Sequence, residues 1–188
     1  MRETAIDAAV GIEWLAGLFP VRSGRGRPLT VVFTDIEGFT VRAAAEGDRA
    51  AVRLVHDHDA AVLPAVRSHD GRVLKRLGDG LMAVFGSPAR AVAAALAAQR
   101  AAATRNRLRL HIGIHAGAAR SRAGDLIGHD VNVAARIAAR AAGGQVLVSD
   151  AVRAALNGLA VRCRELRPLA LPGREPIRLF RVQDRRDT

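Results

Sequence analysis

The order of its apolar segments constrains this chain more than any other feature. Leu29 to Ile36 is a short apolar run of strand length, and residues 48–68 carry the spacing of a long helix, with Val52, Val55, Ala60 and Val62 as expected core contacts. Arg72 to Leu77 and Leu81 to Phe85 read as two strands hinged at Gly78-Asp79-Gly80, followed by a helix over 88–103 and a strand from Leu108 to His115. Strand, helix, strand, strand, helix, strand is the split βαβ order, and short connections leave few other topologies open to it. Beyond it the pattern predicts a helix over 129–142 closed by Gly143-Gly144, a strand from Gln145 to Val148, a short helix from Asp150 to Leu156, and strands near 161–167 and 177–182. The expected class is an α+β sandwich with a ferredoxin-like βαββαβ core and additional C-terminal strands and helices.

A chain of 188 residues suits one domain of ordinary size. Residues 4–19 have an amphipathic helical pattern (Ile6, Val10, Trp14, Leu15, Leu18), and Arg22 to Pro28 is a polar, Gly-rich linker. The expected division is therefore an N-terminal helix and linker at 1–28, a main body at 29–183 and a tail at 184–188. Cys163 is the single cysteine, which excludes an intrachain disulfide and suits a reducing compartment; it is expected to be buried. Glu3, Asp7 and Glu13 interrupt the first apolar stretch and make it unlike a signal peptide, and the Ala-rich run from Ala91 to Ala98 is too short to span a bilayer. A cytoplasmic protein with no membrane partner is expected. The formal charge of +11 comes from arginines scattered along the chain without interleaved aromatics, so no nucleic-acid partner is expected either.

Chemistry enters at three places. Lys75 is the only lysine among 29 basic residues and stands four positions before Asp79, where a compact ammonium has replaced the planar fork used elsewhere. Asp35 ends an apolar strand, with Ile36-Glu37-Gly38-Phe39-Thr40 after it. A carboxylate there can hold a hard cation while neighbouring amides accept phosphate, although a helix-capping acid has the same look. Asp-Gly at 79–80 is also ordinary hairpin composition. A split βαβ fold sets the first strand beside this hairpin, however, and two carboxylates brought together usually require a cation between them. Asn132 and Arg136 are four apart and share a helix face, with Val133, Ala134 and Ile137 turned to the core. Glu37 reads as solvated, and His56, His58, His69, His111, His115 and His129 as surface or partly buried residues without a role.

The segments Phe33-Thr34-Asp35-Ile36-Glu37-Gly38-Phe39-Thr40, Lys75-Arg76-Leu77-Gly78-Asp79-Gly80 and Asp125 to Arg136 resemble the three signature segments of the class III nucleotidyl cyclase catalytic domain, whose core is palm-like. The similarity covers about residues 29 to 183, with the segments in family order. The resemblance implies that Asp35, Asp79 and the carbonyl of Ile36 hold two Mg²⁺ or Mn²⁺ ions. It also implies that Gly38, Phe39 and Thr40 meet the phosphates, that Lys75 and Asp125 read the base, and that Asn132 and Arg136 orient the ribose and stabilise the transition state. A homodimer with shared sites, binding ATP, follows from the same likeness. Adenine presents an acceptor at N1 and donors at its amino group, which Lys75 and Asp125 match; guanine reverses both. The activity implied is adenylate cyclase, with a guanylate cyclase or a silent nucleotide-binding module of the same fold as alternatives. A diguanylate cyclase shares the core, but its Gly-Gly-Asp/Glu-Glu-Phe hairpin is absent. Gly117 to Asp125 is shorter than the arm of animal-type relatives and resembles the short-arm bacterial group. Arg174, in Pro172-Gly173-Arg174, stands near the place of the family's Lys-Gly segment and is a candidate for the triphosphate.

Overall fold

The computed structural model describes residues 29–118, 120–122 and 125–186; the helix expected at 4–19, the linker at 22–28 and the last two residues of the tail lie outside the described residues. The chain runs β1 (Leu29–Ile36), α1 (Phe39–Glu46), α2 (Asp48–Ser68), β2 (Arg72–Leu77), β3 (Gly80–Phe85), α3 (Pro88–Ala103) and β4 (Leu110–Gly117). It continues through β5 (Arg120–Arg122), β6 (Asp125–Ile127), α4 (His129–Arg140), β7 (Gln145–Ser149), α5 (Asp150–Ala154), β8 (Val161–Leu171) and β9 (Arg174–Asp184).

Seven strands form one sheet in the order β2-β3-β1-β4-β7-β9-β8, and β5 pairs only with β6. Its first four strands, β2-β3-β1-β4, are antiparallel neighbours, as the split βαβ order requires; β7 then adds parallel to β4. Alternation along β1 assigns the faces. Val32 and Ile36 point into the main core, which also takes Leu54, Ala61 and Val62 from α2 and Ala91, Val92 and Ala95 from α3. Val31 and Phe33 point the other way, into a smaller cluster with Met82, Leu126, Val131 and Ala134. On that second face α4 lies over β4, β1 and β7. It sits close because position 113 has no side chain: a Cβ on Gly113 would stand 2.1 Å from the Ala138 amide nitrogen.

Several expectations are corrected. Val52 is 69% exposed, because the buried stripe of α2 runs through Ala50, Leu54, His58, Ala61 and Ala65, out of phase with it. Apolar identity alone had set the phase of that helix. A separate α1 precedes α2, and the break falls at Gly47, which adopts φ 79°. The β5–β6 ribbon is too short to leave a periodic signal. The last two strands are each 11 residues long and turn at Gly173, with φ 68°. Cys163 is exposed on the edge strand β8 instead of buried.

Candidate active site

Asp35, the penultimate residue of β1, and Asp79, in the turn between β2 and β3, meet at one end of the sheet. Two constraints hold the turn against β1. The Ile36 N–H donates to Asp79 Oδ2 at 3.0 Å. Gly80 lies so close that a Cβ there would be 1.9 Å from the Thr34 carbonyl oxygen, so only glycine fits, while Gly78 supplies φ 65° for the turn. Partial burial, then the Asp79 charge and a hydrogen bond between the two carboxyls, push Asp35 up from 3.8 to about 6; His111 and the Ile36 amide act against the rise. Two neighbouring carboxyls, one holding its proton more tightly than an ordinary aspartate, are a donor set that a hard divalent ion suits, since the ion offsets their repulsion.

The aspartates open into a cleft of about 280 Å³ lined by Ile36, Gly38, Phe39, Thr40, Val41 and His111. Gly38, at φ 68°, turns the chain into α1, so the first turn of that helix faces the cleft with its amide end. The three positions that the resemblance assigned to phosphate therefore stand beside the two assigned to metal.

The remaining candidates are elsewhere on the chain. Lys75 is half-buried on β2, paired with Met82 and so level with Phe33 on β1. Asn132 and Arg136 are exposed, one turn apart on the outer side of α4. The first turn of α4 sits against Gly117, which pairs with Leu29 at the end of β1 remote from Asp35. Asp125 opens β6 and Arg174 opens β9, and their side chains lie outside the described residues. Registers through β7 and β4 set the start of β9 at the opposite end of the sheet from Asp35, with β4 and β7 between β9 and β1. Within one protomer, then, Arg174, Asn132 and Arg136 do not join the two aspartates.

Three residues given no role in the sequence have definite places. Glu37 stays partly solvated but is also held: it pairs with Arg109 at 3.3 Å and accepts the Gly143 N–H at 3.2 Å. His111 stands opposite Asp35 in the β1–β4 register and lines the cleft. Its Nδ1 donates to the Ala141 carbonyl at 2.6 Å. His58 is fully buried under the hairpin. The alternation of β4 could have shown which face His111 takes, but not which strand it would face.

A sheet of this order, with two helices on one face and a third across the other, is a palm-like α+β core. Residues 21–184 match the adenylate and guanylate cyclase catalytic domain, and the chain belongs to that family. It is a class III cyclase catalytic domain. It is similar in structure to the adenylyl cyclase CyaB from P. aeruginosa, with a TM-score of 0.75 and 23% identity, covering 86% of this chain and 96% of that one. It is also similar to the guanylate cyclase domain of RhGC from Catenaria anguillulae, crystallised with GTP, with a TM-score of 0.72 and 20% identity over 85% of this chain and 97% of that one. At such identities the two likenesses speak for the fold. The serine/threonine-protein kinase pkn2 of Myxococcus xanthus is 30% identical over 163 residues, which is 82% of this chain and 20% of the relative. The chain thus spans about a fifth of that curated relative.

Proposed function

We propose that this chain is an adenylate cyclase, converting ATP to 3',5'-cyclic AMP and pyrophosphate at sites shared between two copies. The observation that carries the reading is the convergence of Asp35 and Asp79 beside the first turn of α1. Among the described residues no group of three or more acidic, His or Cys side chains is placed to hold a metal ion by itself. The ligand set would therefore be completed by the Ile36 carbonyl, phosphate oxygens and water. When bound, two Mg²⁺ or Mn²⁺ ions would lower the pKa of the ribose 3'-hydroxyl and offset phosphate charge. Gly38, Phe39 and Thr40 offer backbone amides to the phosphates. The 3'-oxygen attacks the α-phosphorus, the bond to the β-phosphate breaks and pyrophosphate leaves, while Arg136 offsets the charge that develops and Asn132 holds the ribose.

A second copy is invoked because Asn132 and Arg136 stand exposed on the outer side of α4 and do not line the cleft of Asp35 and Asp79 in their own chain. A head-to-tail dimer lets one copy supply the aspartates and the other Lys75, Asp125, Asn132 and Arg136, giving two equivalent sites. Leu29, Phe33 and Leu74, half-covered on the face that carries Lys75, offer that partner an apolar seat. Arg174, which opens β9 at the end of the sheet away from its own cleft, would likewise act on the partner's triphosphate. No helix among the described residues is long and apolar enough to cross a membrane, in keeping with a cytoplasmic enzyme.

The specificity reading rests on Lys75 as donor and Asp125 as acceptor for adenine. Guanylate cyclase is the alternative, and relatives of similar fold include enzymes named for each base. Incubation with Mn²⁺ and either ATP or GTP, with both cyclic products measured, decides between them. Cyclic AMP in excess supports the proposal; cyclic GMP in excess, or no product from either, overturns it. Asp35→Ala and Asp79→Ala should each abolish turnover with native circular dichroism, and near-normal product from either would remove the metal assignment.

A further inference from the structure

Beneath the Asp79 turn lies a closed ring of polar contacts that the chemistry above does not use. The Leu81 N–H donates to Thr34 Oγ1 at 3.3 Å, and Thr34 Oγ1 lies 2.9 Å from His58 Nε2. His58 Nδ1 lies 3.2 Å from Asp59 Oδ1, and Arg76 donates to Asp59 Oδ2. Arg76 and Leu81 are themselves cross-strand partners of β2 and β3. The ring therefore leaves the hairpin at one member of a pair, passes through β1 and α2, and returns at the other. Thr34 is 5% exposed and His58 not at all.

The donor and acceptor roles in the ring are determined. Asp59, paired with Arg76, can only accept, so the His58 proton is on Nδ1 and Nε2 holds the lone pair. The Thr34 hydroxyl has one proton, which must go to that lone pair, leaving its oxygen to accept from Leu81. Burial lowers the His58 pKa, in keeping with the neutral ring this requires. Every hydrogen-bonding capacity in the buried part is then met once, and no member can be removed without orphaning a neighbour.

The placement of this ring is specific. Its hairpin ends flank Gly78-Asp79, Arg76 follows Lys75, and Thr34 precedes Asp35. Packing alone could hold this corner, as it does in the all-apolar core beside it, yet two buried polar side chains are used where Leu and Val would fill the space. We propose that Thr34 and His58, with Asp59 and Arg76, are positioning residues for cyclisation: they fix the hairpin so that Asp79 meets Asp35 at the metal end and Lys75 is set at the base end. This inference rests on the cyclase reading above. It adds that one buried ring sets the geometry of both functions of the hairpin, which in the shared-site dimer serve different sites.

The test compares Thr34→Val, which keeps shape and loses the hydroxyl, with Thr34→Ser, which keeps the hydroxyl. Both are assayed well below their melting temperatures, beside the wild type. Losing one buried hydrogen bond corresponds to about a tenfold effect. Thr34→Val should therefore raise the Mn²⁺ concentration for half-maximal turnover and lower kcat, each about tenfold, relax the ATP-to-GTP ratio, and speed hydrogen exchange of the Leu81 amide. Thr34→Ser should keep wild-type values. A role in stability alone would lower the melting temperature and leave the Mn²⁺ requirement and nucleotide ratio untouched in the folded protein, which would overturn the inference; so would Thr34→Ser behaving like Thr34→Val. If Thr34→Val does not fold, Asp59→Asn, at the solvent end of the ring, takes its place with the same readouts. Nitrogen-15 shifts showing the His58 proton on Nε2 would also overturn it. A wild type that cyclises neither ATP nor GTP removes the cyclase reading, and this inference with it; an active wild type with an indifferent Thr34→Val removes the inference alone.

Discussion

Adding a single methyl group at Gly80 tests whether the close approach of the hairpin to β1 matters. An ideal Cβ at position 80 lies 1.9 Å from the Thr34 carbonyl oxygen, 2.9 Å from its carbon and 3.1 Å from the Asp35 Cα, all backbone atoms that cannot rotate aside. Ordinary contact begins near 3.4 Å, so β3 and β1 would have to part by about 1.5 Å. That movement stretches two hydrogen bonds, Ile36 N–H to Asp79 and Leu81 N–H to Thr34, beyond useful length. Overpacking together with two lost hydrogen bonds gives about 3 kcal/mol of destabilisation. For a chain of this size that is a fall in melting temperature of about 6–12 °C. Chemistry should suffer as well as folding, because misplacing a reacting group by an ångström costs about 100-fold in rate. Scanning calorimetry and a cyclic nucleotide assay on Gly80→Ala measure the two separately. A variant with wild-type melting temperature and wild-type turnover would refute the account of how Asp79 is positioned.

Asp35, raised from 3.8 to about 6 in the folded chain, takes up a proton more readily there than when unfolded, so the metal-free protein should lose stability as pH rises from about 4 to about 6. Calorimetry across that range should show the fall, Asp35→Asn should remove it, and Mg²⁺ or Mn²⁺ should reverse it. Replacing Lys75 by Glu together with Asp125 by Ser exchanges donor and acceptor, and ATP discrimination should drop by about 1–3 kcal/mol for each polar group left unpaired; an unchanged ATP preference would take both residues out of the base pocket. Mixing inactive Asp79→Ala and Arg136→Ala subunits should restore activity, since each mixed dimer keeps one intact site while both lesions fall in the other. Mixed dimers demonstrated by tag pull-down that still make no cyclic nucleotide would rule out shared sites.

Local chemistry was enough to recover the larger elements of the described residues, though not α1 or the β5–β6 ribbon. The apolar run at Leu29–Ile36, the helical spacing of 48–68 and the Gly-Asp-Gly break between two strands are properties of neighbouring residues, and they fall where the structure has them. The split βαβ order then fixed the sheet order β2-β3-β1-β4, because sequential strands joined by short connections have few ways to pair. That much placed Asp35 beside the Asp79 turn. What the sequence could not decide depended on register and on phase around a helix axis. Whether α2 buries Val52 or His58 turns on a rotation that neither side chain reveals by itself, and tertiary packing chose His58 because Thr34 and Asp59 were there to satisfy it. His111 reached the cleft by standing opposite Asp35 on a strand distant in sequence, and Glu37 found partners in Arg109 and Gly143. Where α4 lies relative to the aspartates was equally invisible, since its close seating on Gly113 is set only when helix and sheet meet. Composition and spacing act within a few residues, and these outcomes were settled by atoms that meet only after the chain has closed on itself.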